Sequence, residues 1–232
     1  MPIGVPAVPS TYELDEDREE EDEEVEWVDI YNRLSMERIL ILCSEISEET
    51  SNQLVGLFVY LNAENPYKEF YFYINSPGGS VIDGLAIFDA INYVYADVYT
   101  IAAGNAFSMA SLIVSTGTQG KRISLPNTRF MIHEPEGGIN GSAPDVSLET
   151  NEILRIKNLV FQLYHECTGQ SLEHLKNDIY RDFYLSADEA KNYNLVDQVV
   201  QEGDIIDEMF INQKIEDFDN DNLDKIFETR RV

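Results

Sequence analysis

Cysteine, basic residues and long apolar runs are all scarce in this chain of 232 residues. Its two cysteines, Cys43 and Cys167, are too few for a disulfide framework or an all-cysteine zinc site, and they suit a reducing compartment. No apolar run approaches the roughly 18 residues that a transmembrane helix needs. The first ten residues carry no Lys or Arg, so we expect neither a secretory signal nor an arginine-rich transit peptide.

Positive charge is rare, because 16 Lys and Arg stand against 43 Asp and Glu, which gives a net charge of −27. Phosphate backbones and anionic lipid surfaces repel such a chain, so we expect neither nucleic acid nor a membrane as a partner. The acidic stretch at residues 13–26 predicts a solvated arm. The sequence therefore divides into an acidic N-terminal arm (1–27), a body (28–201) and an acidic C-terminal extension (202–232).

The body alternates between strand and helix patterns, and 44% of the whole chain is apolar, enough for a sizeable core. Apolar and β-branched runs predict strands at residues 39–43, 70–74, 98–103, 128–132 and 195–200. We expect Gly104-Asn105 to break the third strand. A long amphipathic helix is predicted over residues 148–167, ending at Gly169, and a capping box at residues 186–189 opens a short one. This order predicts an α/β fold with a mostly parallel sheet.

Ser108 lies in the segment Ala-Phe-Ser-Met-Ala, between a predicted strand and a predicted helix. A nucleophile elbow needs small residues around its serine, because the tight turn leaves no room for larger side chains. Both glycines of the usual pattern are alanine here. A serine that only caps a buried helix is therefore an equally good interpretation of the segment alone.

Two adjacent glycines follow the second predicted strand, in the turn Ser76-Pro77-Gly78-Gly79. Such a turn is able to present backbone N–H groups to an anion, as the oxyanion hole of an acyl-transfer enzyme requires. A plain tight turn is the alternative. Neither G-x-x-x-x-G-K-[ST] nor G-x-G-x-x-G occurs, so the turn is not a phosphate-binding loop of either kind.

Three histidines are present, and their settings differ. His165 falls in the last turn of the long helix, where a cationic side chain complements the helix dipole. His174 falls in a polar helical stretch, where we expect it to be solvated. His133 ends a strand, at the edge where open α/β sheets place their sites, so it is the candidate general base, with a core histidine as the alternative. The spacing alone does not choose a carboxylate to orient it. The histidines fall on separate elements and H-E-x-x-H is absent, so no metal site is predicted.

Four segments together resemble the proteolytic subunit of the Clp protease, in that family's order and spacing: residues 73–79, 104–110, 131–135 and 181–187. The resemblance covers about residues 28 to 200, and the opening segment is similar to the plastid-encoded branch. It implies the ClpP/crotonase fold of repeated β-β-α units, with a protruding handle helix at about residues 134–168 and acidic extensions at both ends.

The resemblance implies a serine endopeptidase that degrades unfolded proteins to short peptides. Carried over by position, Ser108 is the nucleophile, His133 the general base and Asp182 the carboxylate that orients the base. The backbone N–H groups of Gly79 and Met109 are expected to form the oxyanion hole. The alternatives are a catalytically silent structural ring subunit and an acyl-CoA hydratase or isomerase of the same fold.

The same resemblance implies an assembly of two stacked seven-membered rings, built from this chain and related Clp proteolytic subunits, in the plastid stroma. A Clp ATPase unfoldase is expected to dock on the rings and feed in protein substrates, with Tyr71, Tyr73 and Tyr93 lining its docking pocket. No cofactor is expected in this subunit, because ATP is used by the partner.

Three positions depart from the family pattern. Phe107 is bulky where a small residue is usual before the nucleophile, which is expected to narrow the substrate groove. Glu134 stands in place of a glutamine beside the histidine, and Tyr180 replaces the acidic residue of an inter-ring ion pair.

Overall fold

The computed structural model describes residues 5–9, 27–138 and 141–200. The predicted acidic stretch at residues 13–26 and the predicted C-terminal extension lie outside these ranges. The strands of the described part are β1 (Ala7–Pro9), β2 (Trp27–Asp29), β3 (Ile39–Leu42), β4 (Phe70–Ser76), β5 (Val98–Phe107), β6 (Arg122–Ser124), β7 (Arg129–Ile132), β8 (Phe183–Ser186) and β9 (Gln198–Val199). Its helices are α1 (Ile30–Met36), α2 (Glu48–Glu64), α3 (Val81–Tyr93), α4 (Met109–Ser115), α5 (Ala143–Thr168), α6 (Leu172–Asp178) and α7 (Ala187–Asn192).

The main sheet has seven strands, and its central path runs β3-β4-β5-β6-β9 with every neighbour parallel. Strand β7 joins β5 in parallel, and β8 pairs with β7 antiparallel. The mostly parallel α/β sheet predicted from the sequence is therefore confirmed. A separate two-stranded pairing joins β1 to β2.

Strand β5 is the pivot of this sheet, because its first half pairs with β6 and its second half with β7. The predicted break at Gly104-Asn105 is wrong, since β5 continues to Phe107. Gly104 has φ +91, and the Asn105 N–H donates to Oδ1 of Asn75 at 3.0 Å, where the register with β4 shifts. The glycine therefore lets the strand pass an irregularity instead of ending it.

Helix caps and core packing follow local sequence signals. Ser47 caps α2, Gly169 ends α5 in the left-handed region with φ +72, and Ser186 opens α7 with a capping box, all as predicted. Every residue of α4 is buried, which places the helix after Ser108 inside the core. Within the described residues, no helix is long and apolar enough to cross a membrane.

An ion pair between a buried arginine and a partly buried aspartate holds the end of the described body onto the sheet. The Arg122 guanidinium donates to both carboxylate oxygens of Asp197, at 2.9 Å and 2.6 Å, and the Gly120 N–H donates to the same carboxylate. Burial opposes ionisation of Asp197, yet these hydrogen bonds outweigh it and lower its pKa below the usual value. The pair fixes β6 against the segment that leads into β9.

Candidate active site

Ser108 occupies a strained turn between β5 and α4, with φ +53 and ψ −125. A non-glycine residue rarely adopts positive φ, and such strain persists only where the surrounding structure enforces it. The Ser108 side chain makes no capping hydrogen bond to α4, so the capping interpretation fails. Its N–H donates to the Met131 carbonyl at 2.7 Å, which ties the turn to β7.

His133 follows directly after β7 and meets Ser108 through the pairing of β7 with β5. In that register Phe107 lies opposite Met131, so the residues that follow both strands emerge side by side. The imidazole Nε2 lies 2.8 Å from Ser108 Oγ, and the His133 side chain is 19% exposed. This is hydrogen-bonding distance, so Nε2 is placed to take the hydroxyl proton when it is the unprotonated ring nitrogen.

Asp182 approaches the other imidazole nitrogen because of the antiparallel pairing of β7 with β8. Ile132 pairs with Phe183, so Asp182 comes opposite His133 one position farther along. Its Oδ1 lies 3.6 Å from Nδ1, and its side chain is 54% exposed. That distance allows an ion pair with a charged imidazole but is too long for a hydrogen bond.

A second carboxylate faces the same nitrogen. Oε1 of Glu136 lies 4.0 Å from Nδ1 of His133, and the Glu136 side chain is 83% exposed. Glu136 is not among the residues predicted from the sequence, although its position three residues after the histidine is a usable signal. The imidazole therefore has one close hydroxyl on Nε2 and two looser carboxylates near Nδ1.

The Gly78-Gly79 turn packs directly against the serine turn. Gly78 has φ +91, and a Cβ atom placed there would lie 2.7 Å from the Phe107 oxygen and 2.9 Å from Ser108 Cβ. Gly79 has φ +150 and forms a parallel bridge with Ile46, whose N–H donates to Gly78 O and whose oxygen accepts from Ser80. Because extended backbone alternates its polar groups, the Gly79 N–H faces away from Ile46.

Met109 is the first residue of α4, where a backbone N–H has no partner inside the helix. A Cβ atom at Gly78 would lie 3.3 Å from this nitrogen, so the glycine turn borders the start of the helix. The Met109 side chain is buried against Gly84 of α3. The predicted residues Gly79 and Met109 thus lie on two adjoining turns beside Ser108.

The three unusual positions of the sequence each have a defined setting. The Phe107 ring meets Tyr184 edge to face with centroids 6.0 Å apart. Glu134 forms an ion pair with Lys157 of α5, which links the residue after His133 to the long helix. Tyr180 is an exposed side chain.

The other two histidines are engaged away from Ser108. His165 Nδ1 lies 2.6 Å from the Gln170 carbonyl, just past the end of α5. His174 Nε2 lies 3.2 Å from Asp178, and its ring stacks on Tyr193. These contacts leave His133 as the histidine that faces the serine.

The tyrosines predicted to line a docking pocket differ in exposure. Tyr71 is buried and stacked on Tyr99 with centroids 5.0 Å apart, and burial together with Glu69 raises its pKa to about 12. Tyr73 is partly buried, whereas Tyr93 at the end of α3 is 73% exposed. Their docking role stays a prediction.

A cavity of about 310 Å³ lies apart from the serine, with Arg122, Cys167 and Phe88 in its wall. Ser108, His133 and Asp182 do not line it. In the part of the chain that the structure describes, no group of three or more His, Cys, Asp or Glu residues is arranged to hold a metal ion.

Known proteins that are similar to this chain include proteolytic subunits of the Clp protease. A family model described as Clp protease matches residues 20–203. The ATP-dependent Clp protease proteolytic subunit of Oltmannsiellopsis viridis is 51% identical over 199 residues, which cover 86% of this chain and 98% of that protein. The Chlorella vulgaris subunit of the same name is 51% identical, with 86% and 96% covered. Subunit 1 of Gloeobacter violaceus is 46% identical, with 87% and 98% covered.

Proposed function

Because this chain belongs to the Clp protease family and is a serine peptidase subunit of that kind, we propose that Ser108, His133 and Asp182 are its catalytic triad. The observation that carries the proposal is the 2.8 Å contact between Ser108 Oγ and His133 Nε2 at a strained strand-to-helix turn. This pairing of hydroxyl and base is the arrangement that activates a serine nucleophile.

In the proposed reaction, Ser108 Oγ attacks the carbonyl carbon of a peptide bond while His133 Nε2 takes its proton. The C–N bond then breaks, and the same proton passes from Nε2 to the leaving amine, which gives an ester between substrate and Ser108. Water attacks this ester, again with His133 as base, and restores the serine. Asp182 stabilises the imidazolium and keeps the proton of the neutral ring on Nδ1.

The negative oxygen of each tetrahedral intermediate requires donors that are already in place. We propose the backbone N–H groups of Gly79 and Met109 for this role. The Gly79 N–H faces away from Ile46, and the Met109 N–H starts a helix whose dipole favours negative charge at that end. Removing one such donor from a serine peptidase lowers kcat by roughly 10²–10³-fold.

The chain acts within a Clp protease complex that has ATPase partners. We propose the finer arrangement of two stacked seven-membered rings, in which this chain sits with copies of itself or related subunits. An unfoldase would dock near Tyr71, Tyr73 and Tyr93 and supply unfolded protein, and the exposure of Tyr93 supports contact there. The green algal relatives favour a plastid location, and we propose the stroma.

The decisive experiment compares Ser108→Ala with Ser115→Ala, which changes a buried serine at the end of α4 whose hydroxyl donates to Leu112 O. Ser108→Ala is expected to lower hydrolysis of a fluorogenic peptide by at least ~10⁴-fold and to abolish labelling by a fluorophosphonate. Ser115→Ala should keep both. Wild-type assembly without label or turnover would identify a silent structural subunit. Thioester turnover that survives Ser108→Ala would point to acyl-CoA chemistry instead.

A further inference from the structure

Two hydroxyl groups outside the triad converge on the backbone oxygen of Ser108. Ser111 Oγ donates to this oxygen at 2.7 Å, the Tyr164 hydroxyl lies 3.2 Å from it, and the Ser111 backbone N–H also donates to it at 3.0 Å. The two hydroxyls also lie 2.7 Å from each other. Ser111 comes from the first turn of α4 and Tyr164 from α5, so a long-range contact closes the cluster.

Both hydroxyl-bearing residues are almost fully buried, with Tyr164 1% exposed and Ser111 0% exposed. A buried phenol needs a hydrogen-bond partner, and phenylalanine would fill the same apolar space without that need. Burial also raises the pKa of Tyr164 well above its usual value, so the hydroxyl stays protonated at neutral and mildly alkaline pH. Tyr164 therefore remains a donor under the conditions in which a peptidase works.

The hydroxyl protons of Ser111 and Tyr164 have two possible arrangements. In each of them, one hydroxyl donates to the Ser108 oxygen. In one, Tyr164 donates to Ser111 Oγ and Ser111 donates to the Ser108 oxygen. In the other, Ser111 donates to Tyr164 and Tyr164 donates to the Ser108 oxygen. Each hydroxyl is thus able to substitute for the other as the direct donor.

The Ser108 oxygen and the Met109 N–H belong to one planar peptide unit. In a trans peptide these two groups point in opposite directions, so holding the oxygen fixes the direction of the N–H. Ser108, which begins this peptide unit, has a strained backbone with φ +53. Relaxation of that backbone would rotate the plane of the Ser108–Met109 peptide. The cluster stabilises the orientation that strain opposes.

We propose that Ser111 and Tyr164 are positioning residues that lock the Ser108–Met109 peptide plane and so aim the Met109 N–H at the oxyanion. The inference rests on the proposed function, since it assigns a purpose to that N–H. It also makes α5 a direct support of the active site, because Tyr164 reaches the nucleophile's backbone from that helix.

The test uses Tyr164→Phe, Ser111→Ala and the double variant in the assembled full-length protein. Matched controls are Tyr193→Phe, which removes a phenol bonded to Asp178 at 2.9 Å, and Ser115→Ala. The number of reactive serines is determined by titration with a fluorophosphonate, and each kcat is divided by that number to give a rate per reactive site. The measurements are kcat and KM for a fluorogenic peptide, and the affinity of a peptide boronic acid, whose tetrahedral adduct places an oxygen in the oxyanion hole.

Each single variant is expected to lower kcat about two- to threefold, because the remaining hydroxyl takes over. The double variant should lose roughly 20-fold or more, above the product of the single losses, with KM within about twofold of wild type. Boronate affinity should fall in parallel with kcat, because both depend on the oxyanion donors. The two controls should keep the wild-type kcat per site.

Three results would overturn the proposal: an unchanged kcat per site in the assembled double variant, a change confined to KM, or a loss confined to the number of reactive sites. If the double variant does not assemble, Tyr164→Phe decides, and unchanged boronate affinity in it counts against the proposal. Failure of the proposed function looks different, since wild type itself would then show neither label nor turnover.

Discussion

The two ends of the catalytic constellation are built differently. At the Ser108 end, the backbone N–H is bonded to Met131 at 2.7 Å, the carbonyl is held by Ser111 and Tyr164, and the hydroxyl lies 2.8 Å from His133. At the Asp182 end, the carboxylate is 54% exposed and 3.6 Å from the imidazole. The nucleophile is fixed by the core, whereas the carboxylate sits loosely at the surface.

Sheet topology explains the difference. Ser108 follows the central strand β5 and precedes the fully buried helix α4, so packing surrounds it. Asp182 precedes the four-residue strand β8, whose one pairing within the described residues is with β7. A rigid turn suits a nucleophile that must meet both base and oxyanion donors, and an adjustable carboxylate suffices to orient an imidazole.

Among the changes that test the difference between the two ends, the largest effect is expected from Gly78→Ala, which disturbs the rigid Ser108 end. The new methyl group would lie 2.7 Å from Phe107 O and 2.9 Å from Ser108 Cβ, so either the glycine turn or the serine turn must move. We expect kcat of peptide hydrolysis to fall roughly 10²–10³-fold, as for loss of an oxyanion donor.

Gly120→Ala is the matched control for that change. Gly120 also has positive φ, at +85, but nothing lies within 4 Å of the added methyl group. Gly120→Ala should lose about 1–2 kcal/mol of stability from backbone strain, measured by thermal unfolding, and keep its activity. Gly78→Ala should lose more stability than that, because its methyl group also clashes with backbone, and it should lose activity. Near-wild-type kcat in Gly78→Ala would mean that the serine turn is not rigid.

An intermediate effect is expected at the loose end, from Asp182→Asn. Loss of a well-bonded triad aspartate lowers kcat by about 10⁴-fold, but this carboxylate is exposed and beyond hydrogen-bonding distance. We therefore expect a smaller loss, of about 10- to 100-fold, in steady-state peptide hydrolysis. Asp188→Asn, an exposed aspartate of α7, serves as the control and should match wild type. A loss as large as that of Ser108→Ala would show that both ends are equally pre-organised.

The smallest effect is expected from Glu136→Gln. This carboxylate is 4.0 Å from the imidazole and 83% exposed, so its removal should change kcat by no more than about twofold. In the Asp182→Asn background the same change should cause a larger loss, because Glu136 is then the nearest carboxylate to Nδ1. Equal effects in both backgrounds, measured as kcat ratios, would show that Glu136 does not support the imidazole.

Parts of this constellation could be predicted from the sequence, because local signals carry them. Ser108 has small neighbours at a strand-to-helix junction, and His133 ends an apolar strand. Asp182 could be chosen only by resemblance, since its place depends on the antiparallel register of a short strand among many other acids. The extension of β5 past Gly104 was missed because a side chain, Asn75, takes over a backbone contact there.

The supporting cluster was missed for a different reason. Tyr164 lies on the apolar face of a long helix, and Ser111 lies inside a buried one, so both are typical of core positions in a sequence pattern. Their common target, the Ser108 carbonyl group, is 56 residues away from the tyrosine along the chain. Only the packing of α5 against α4 brings them together.

A crystal structure of the assembled protein with a peptidyl phosphonate bound compares the two ends most directly. The phosphorus should be bonded to Ser108 Oγ, with the Ser108–Met109 peptide plane unchanged and one phosphonate oxygen about 2.7–3.1 Å from the Gly79 and Met109 nitrogens. Asp182 should move to about 2.6–3.0 Å from Nδ1 of His133. A rotated Ser108–Met109 plane beside an unmoved Asp182, or an adduct on another serine, would contradict a fixed nucleophile with an adjustable carboxylate.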